Sequence, residues 1–128
     1  MTEIPIVLLV GTETEWPSNL ESSLNDEKIE TVLVDTLENA LGTLKSLHCH
    51  VMLVDVRCFS DAQLRFLKLL KSVQSNLFVI GQCSNTGPNS AVELWGSSID
   101  AFLTYPIEVS AIVGCAKARA NLRETGED

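Results

Sequence analysis

The run His50-Val51-Met52-Leu53-Val54-Asp55-Val56-Arg57-Cys58-Phe59, near the middle of a 128-residue chain, is apolar until it meets a single carboxylate. An apolar run of this kind between polar turns fits a strand buried on both faces. Such a strand needs a covering layer above and another below, so a sheet with one face open to water is excluded. A carboxylate at the point where the strand leaves the sheet faces the crevice in which open α/β sheets bind their ligands. Asp55 is therefore either a chemical centre or the remnant of one.

The flanking sequence supplies the layers. Residues 4–10 are rich in Ile, Val and Leu and read as another central strand. After the polar stretch Gly11-Thr12-Glu13-Thr14-Glu15, Trp16-Pro17 opens a helix, because proline suits a first turn whose N–H groups need no partner. Leu20 and Leu24 mark its inner face. Residues 29–34 read as a second strand. Thr36 can cap the next helix, in which Leu37, Ala40, Leu41, Leu44 and Leu47 recur at helical spacing. Beyond the central run, Ser60 and Gln63 have the spacing of a capping box, followed by a stripe of Leu64, Leu67, Leu70 and Val73. Residues 77–80 predict a fourth strand, 81–87 a loop, 88–95 a helix closed by Gly96, and 99–104 a fifth strand. A last helix over 107–122 carries Ile112, Val113, Ala116 and Ala120. Five strands each followed by a helix predict a single three-layer α/β domain, (βα)5 and flavodoxin-like, with a parallel sheet in the order 2-1-3-4-5. The domain is expected over residues 1–123, with 124–128 a polar tail or the start of a linker.

Composition narrows the partners. Nine Lys and Arg against 17 Asp and Glu give a net charge of −8, which argues against direct binding of nucleic acid or an anionic membrane. Apolar stretches fall well short of the roughly 20 residues that span a bilayer, and Met1-Thr2-Glu3-Ile4-Pro5 has no basic region of a secretory signal. A cytoplasmic protein is expected. The four cysteines (Cys49, Cys58, Cys83 and Cys115) lack the spacing of a zinc or redox motif and read as free thiols. His48 and His50 fall on one side of an extended segment, with too few further ligands for a metal site.

In the expected topology the switch point lies between the first and third strands. Glu13, Glu15 and Asp55 can approach one another there, and an oxygen-only set of this kind suits Mg²⁺. Gly81 to Ser84 and Thr104 to Pro106 border the other side.

The five-fold alternation, the lone Asp55 ending the third strand and Phe102-Leu103-Thr104-Tyr105-Pro106 ending the fifth resemble the receiver domain of two-component response regulators over nearly the whole chain. The resemblance implies an aspartate that accepts a phosphoryl group from a histidine kinase. It also implies an acidic pair that holds Mg²⁺, a Thr or Ser after the fourth strand, and a Lys-Pro after the fifth. Asp55 matches the phosphoacceptor position. The acidic pair falls on Gly11 and Thr12, with Glu13 displaced by one. The hydroxyl position falls on Gly81, and the lysine is Tyr105 beside a retained Pro106. Phosphoryl transfer to a carboxylate develops charge that a metal and a cation must neutralise, and these substitutions remove both. The reading is a degenerate receiver, or pseudo-receiver. It is not an enzyme, needs no cofactor, and has no metal site beyond what Glu13 and Asp55 alone can assemble. It would bind other signalling proteins or an output domain, with homodimerisation one such use, through Trp95, Phe102 and Tyr105. The alternative is a phosphorylation-competent receiver using Asp55 with Mg²⁺. A second alternative is FMN binding, because Gly11-Thr12-Glu13-Thr14 resembles a flavodoxin phosphate loop, although Glu15 would repel a phosphate there.

Overall fold

The computed structural model describes residues 4–11, 16, 19–55, 61–83, 99–104 and 108–125. Five strands are present: β1 (Ile6–Val10), β2 (Glu30–Val34), β3 (Val51–Asp55), β4 (Phe78–Cys83) and β5 (Ala101–Thr104). They pair in parallel in the order β2-β1-β3-β4-β5, the doubly wound arrangement expected. The described helices are α1 (Leu20–Asp26), α2 (Leu37–Ser46), α3 (Asp61–Val73) and α4 (Val109–Thr125). The helix expected over 88–95 lies outside the described residues, as does Ser60 of the expected capping box.

Strand alternation sorts the core into two layers. Leu8, Val10, Met52, Val54 and Val79 pack with Leu37, Ala40, Leu44, Leu67 and Leu70 of α2 and α3. Val7, Leu9, Val51, Leu53 and Ile80 pack with Leu20 and Leu24 of α1 and Ile112 and Ala116 of α4. Successive residues of a strand point to opposite faces, so β3 feeds both layers at once. Its four apolar residues are fully buried, as a continuous apolar run requires.

Element ends follow their local chemistry. Thr36 caps α2 as expected, its hydroxyl oxygen accepting from the Asn39 N–H at 3.1 Å. Helix α1 starts at Leu20, later than Trp16-Pro17 suggested, while Trp16 itself is buried in the α1–α4 layer. It ends with the Lys28 N–H on the Asn25 carbonyl and the Ile29 N–H on the Leu24 carbonyl, a Schellman arrangement with Lys28 at φ 64°. Helix α4 continues to Thr125, past the helix end expected at 122.

Strand β4 differs most from expectation. Gly81, Gln82 and Cys83 were expected in a loop, yet they continue the strand, with Gly81 opposite Val54 and Gln82 opposite Asp55. Glycine and glutamine carry little strand preference of their own, but β4 is held on both sides by β3 and β5.

Side chains tie the amino-terminal edge of the sheet together. The Ile6 N–H donates to His50 Nδ1 at 3.0 Å while the His50 N–H donates to the Ile6 carbonyl at 2.9 Å. The His48 and His50 rings do share a side, meeting edge to face at 5.1 Å. Among the described residues no group of three His, Cys, Asp or Glu could hold a metal ion.

Candidate functional site

The carboxyl-terminal ends of β1 and β3 open into a cavity of about 390 Å³. Its apolar part is Val10, Leu37, Ala62 and Phe66, and its polar part is Gly11, Asp35, Thr36, Glu38, Asp55 and Gln63. This is the switch point of the sheet, where the connection from β1 runs one way and that from β3 the other. Asp55, the last residue of β3, reaches it because the strand stops there. Its side chain is half-buried, whereas Asp35 and Glu38 are exposed at the amino-terminal end of α2. Carboxylates at that end interact favourably with the helix dipole, so these two have a local reason to be acidic.

Asp55 has a partner that sequence reasoning did not single out. Gln82 stands directly opposite it on β4, has no solvent exposure, and donates from Nε2 to Asp55 Oδ2 at 3.2 Å. Hydrogen bonds to an ionised acceptor contribute about 1.5–3 kcal/mol, more than neutral pairs. Gln82 Oε1 is buried with no hydrogen-bond partner among the described residues. The missed signal was the true end of β4. Once the strand is carried through Cys83, parallel register sets Gln82 beside Asp55 on the same face.

Of the other site residues read from the sequence, Gly11 lines the cavity, and its N–H continues the β1–β2 ladder to the Val34 carbonyl at 2.8 Å. Its φ of 140° is a backbone conformation that side-chain-bearing residues rarely adopt. Gly81 lies two residues before the end of β4, opposite Val54. Phe102 is half-buried and packs against the α2–α3 layer. Thr12, Glu13, Tyr105, Pro106 and Trp95 lie outside the described residues, so the structure brings together Asp55 and Gly11 at the cavity, with Gly81 close by on β4.

The receiver resemblance implies Mg²⁺ beside Asp55. Gly11 offers no carboxylate, one Asp55 oxygen accepts from Gln82, and no three acidic or imidazole groups among the described residues are placed to hold a metal ion. The described residues do not fit that ion.

No family model matches the sequence, and no curated protein matches it. Solved structures do. A signal receiver domain from Vibrio parahaemolyticus superposes with TM-score 0.75 at 21% identity, covering 98% of this chain and 99% of that one. A CheY-like response regulator receiver domain protein from Methanospirillum hungatei JF-1 also gives 0.75, at 15% identity over 97% and 99% of the two chains. A response regulator from Burkholderia pseudomallei, solved with a phosphorylated aspartic acid, a calcium ion and citrate, gives 0.72 at 16% identity over 96% and 72%. The fold of this chain is the CheY-like fold of response regulator receiver domains.

Proposed function

We propose that this chain is a receiver-like signalling domain of a two-component or phosphorelay pathway that works by binding, without phosphotransfer. The observation that carries the reading is the state of Asp55. It stands at the phosphoacceptor place of a receiver fold, but one oxygen accepts from the buried Gln82 amide, and Gly11 stands where the resemblance implies an acid. Phosphoryl transfer depends almost wholly on positioning and on neutralising developing charge, and in the sequence Tyr105 stands where the resemblance implies the neutralising lysine.

The domain is then an interaction module and not an enzyme. Its partners are other signalling proteins, an output domain, or a second copy. Trp95, Phe102 and Tyr105 are the anchors proposed for that surface, since large aromatics supply much of the binding energy of interfaces. No helix among the described residues is long and apolar enough to cross a membrane, and the chain carries a net charge of −8. The acidity supports protein partners in place of nucleic acid, and the cytoplasm is the proposed compartment.

The test is a two-dimensional ¹⁵N–¹H NMR titration with Mg²⁺ followed by beryllofluoride, a phosphoryl mimic. The expected result is no shift change clustered on Asp55, Gly81 and Gln82. Saturable changes centred there would establish a working phosphoacceptor and sink the proposal.

A further inference from the structure

A divalent cation beside a carboxylate does two things: it offsets the charge and it fixes an oxygen in place. At Asp55 a neutral side chain meets the same oxygen. Gln82 is held opposite by strand register, is fully buried, and brings Nε2 to 3.2 Å from Oδ2. The reversed amide would set a carbonyl oxygen against a carboxylate, so chemistry assigns the donor to Asp55. That choice leaves Gln82 Oε1 buried without a hydrogen-bond partner among the described residues. The side chain therefore forgoes a partner at one atom while the other serves Asp55.

We propose that Gln82 is the positioning residue of Asp55, its carboxamide taking the place of a divalent cation, so that the amide and such an ion compete for one carboxylate oxygen. The inference rests on the pseudo-receiver reading and deepens it. It assigns the insensitivity of Asp55 to a particular residue on β4 as well as to Gly11 and Thr12 standing where the resemblance implies an acidic pair. It also accounts for a glutamine at a wholly buried position of the central sheet, where an apolar residue would pack without an unpaired oxygen.

The experiment is Mn²⁺ titration of the full chain, read as paramagnetic broadening in ¹⁵N–¹H spectra. In the wild type, broadening around Asp55 and Gln82 should require high Mn²⁺. Gln82→Met keeps the length and bulk of the side chain without the donor, and its apparent Mn²⁺ affinity should rise roughly tenfold, the equivalent of one charge-assisted hydrogen bond. Adding Asp55→Asn to that variant should abolish the gain. A folded Gln82→Met that binds Mn²⁺ no better than the wild type overturns the proposal, as does a gain that survives Asp55→Asn. Gln82→Ala repeats the test should Gln82→Met fail to fold. A readout in the wild-type background comes from the Gln82 side-chain NH₂ signals, which should move when Asp55→Asn is made, and their failure to move also overturns the assignment. Beryllofluoride response of the wild type decides the functional reading separately, because the Mn²⁺ comparison between variants holds whichever way that result falls.

Discussion

Cys49 shows how a single buried group can govern behaviour far from neutrality. It has no solvent exposure at the entry to β3, and burial pushes its thiol up from 9.0 to about 11. In the unfolded chain the same thiol ionises near its ordinary value. Between pH 9 and 11 the unfolded state therefore binds fewer protons than the folded one, and stability falls as pH rises. The loss amounts to about 2–3 kcal/mol across the window and is absent below pH 9. Urea unfolding at pH 8 and pH 10.5 should show it, and Cys49→Ala should flatten that dependence relative to the wild type. An unchanged slope in the variant would mean that other groups carry it. Gly11 makes the opposite point, that a missing group is not simply replaced. With φ at 140°, an aspartate there should strain the backbone by about 1–3 kcal/mol. Gly11→Asp is expected to lower the urea midpoint and to bring no gain in Mg²⁺ affinity by NMR titration. A stable, Mg²⁺-binding variant would show that the turn adapts to carry an acid.

At the scale of elements, the joints that hold helix to strand rest on a few long polar side chains. Gln74, just after α3, accepts from the Cys49 N–H at 3.0 Å and donates to the Leu44 and Leu47 carbonyls at 2.8 and 2.6 Å. One amide thus joins the end of α2, the entry to β3 and the end of α3. Its loss in Gln74→Ala should cost about 2 kcal/mol, since each bond contributes about 0.5–1.5 kcal/mol net. Gln74→Glu should cost more, because a carboxylate would face two carbonyl oxygens that now receive donors. Chemical denaturation of the two variants checks both the size and the order. Asp100 makes a similar joint, binding Lys71 Nζ of α3 at 2.6 Å and the Val79 N–H of β4 at 2.8 Å. Joints of this kind were not legible in the sequence, because a glutamine or aspartate near an element end looks like any solvated polar residue. What was legible was hydrophobic period: Leu37, Ala40 and Leu44, or Leu67 and Leu70, face the core as their spacing predicts. Strand β4 shows where that signal ends. Gly81 and Gln82 look like a turn locally, and only pairing with strands distant in sequence makes them sheet. The misplaced strand end concealed Gln82, and with it the partner of Asp55. Asp55 itself was legible because a carboxylate ending an apolar run stands out without any knowledge of pairing.

For the whole molecule, the consequence of a central strand buried on both faces is that the two layers cannot melt independently. Met52 faces α2 and α3, Leu53 faces α1 and α4, and the two are adjacent in one backbone whose hydrogen bonds run to β1 on one side and β4 on the other. Loosening either layer therefore loosens the strand on which the other is built. Met52→Ala and Leu53→Ala should each cost about 2–5 kcal/mol, the range for deleting a fully buried side chain with partial relaxation around it. Trp16, buried in the α1–α4 layer, can report on cooperativity once Trp95 is replaced by phenylalanine to leave a single tryptophan. In that background Met52→Ala removes packing from the layer that Trp16 does not touch. Trp16 fluorescence and far-ultraviolet circular dichroism should nevertheless follow the same urea transition, displaced to lower urea with an unchanged slope, as coincident probes indicate a single cooperative unit. If Trp16 kept its native signal while helical signal was lost, α1 and α4 would be holding their layer without α2 and α3. The two-layer dependence attributed to β3 would then be wrong.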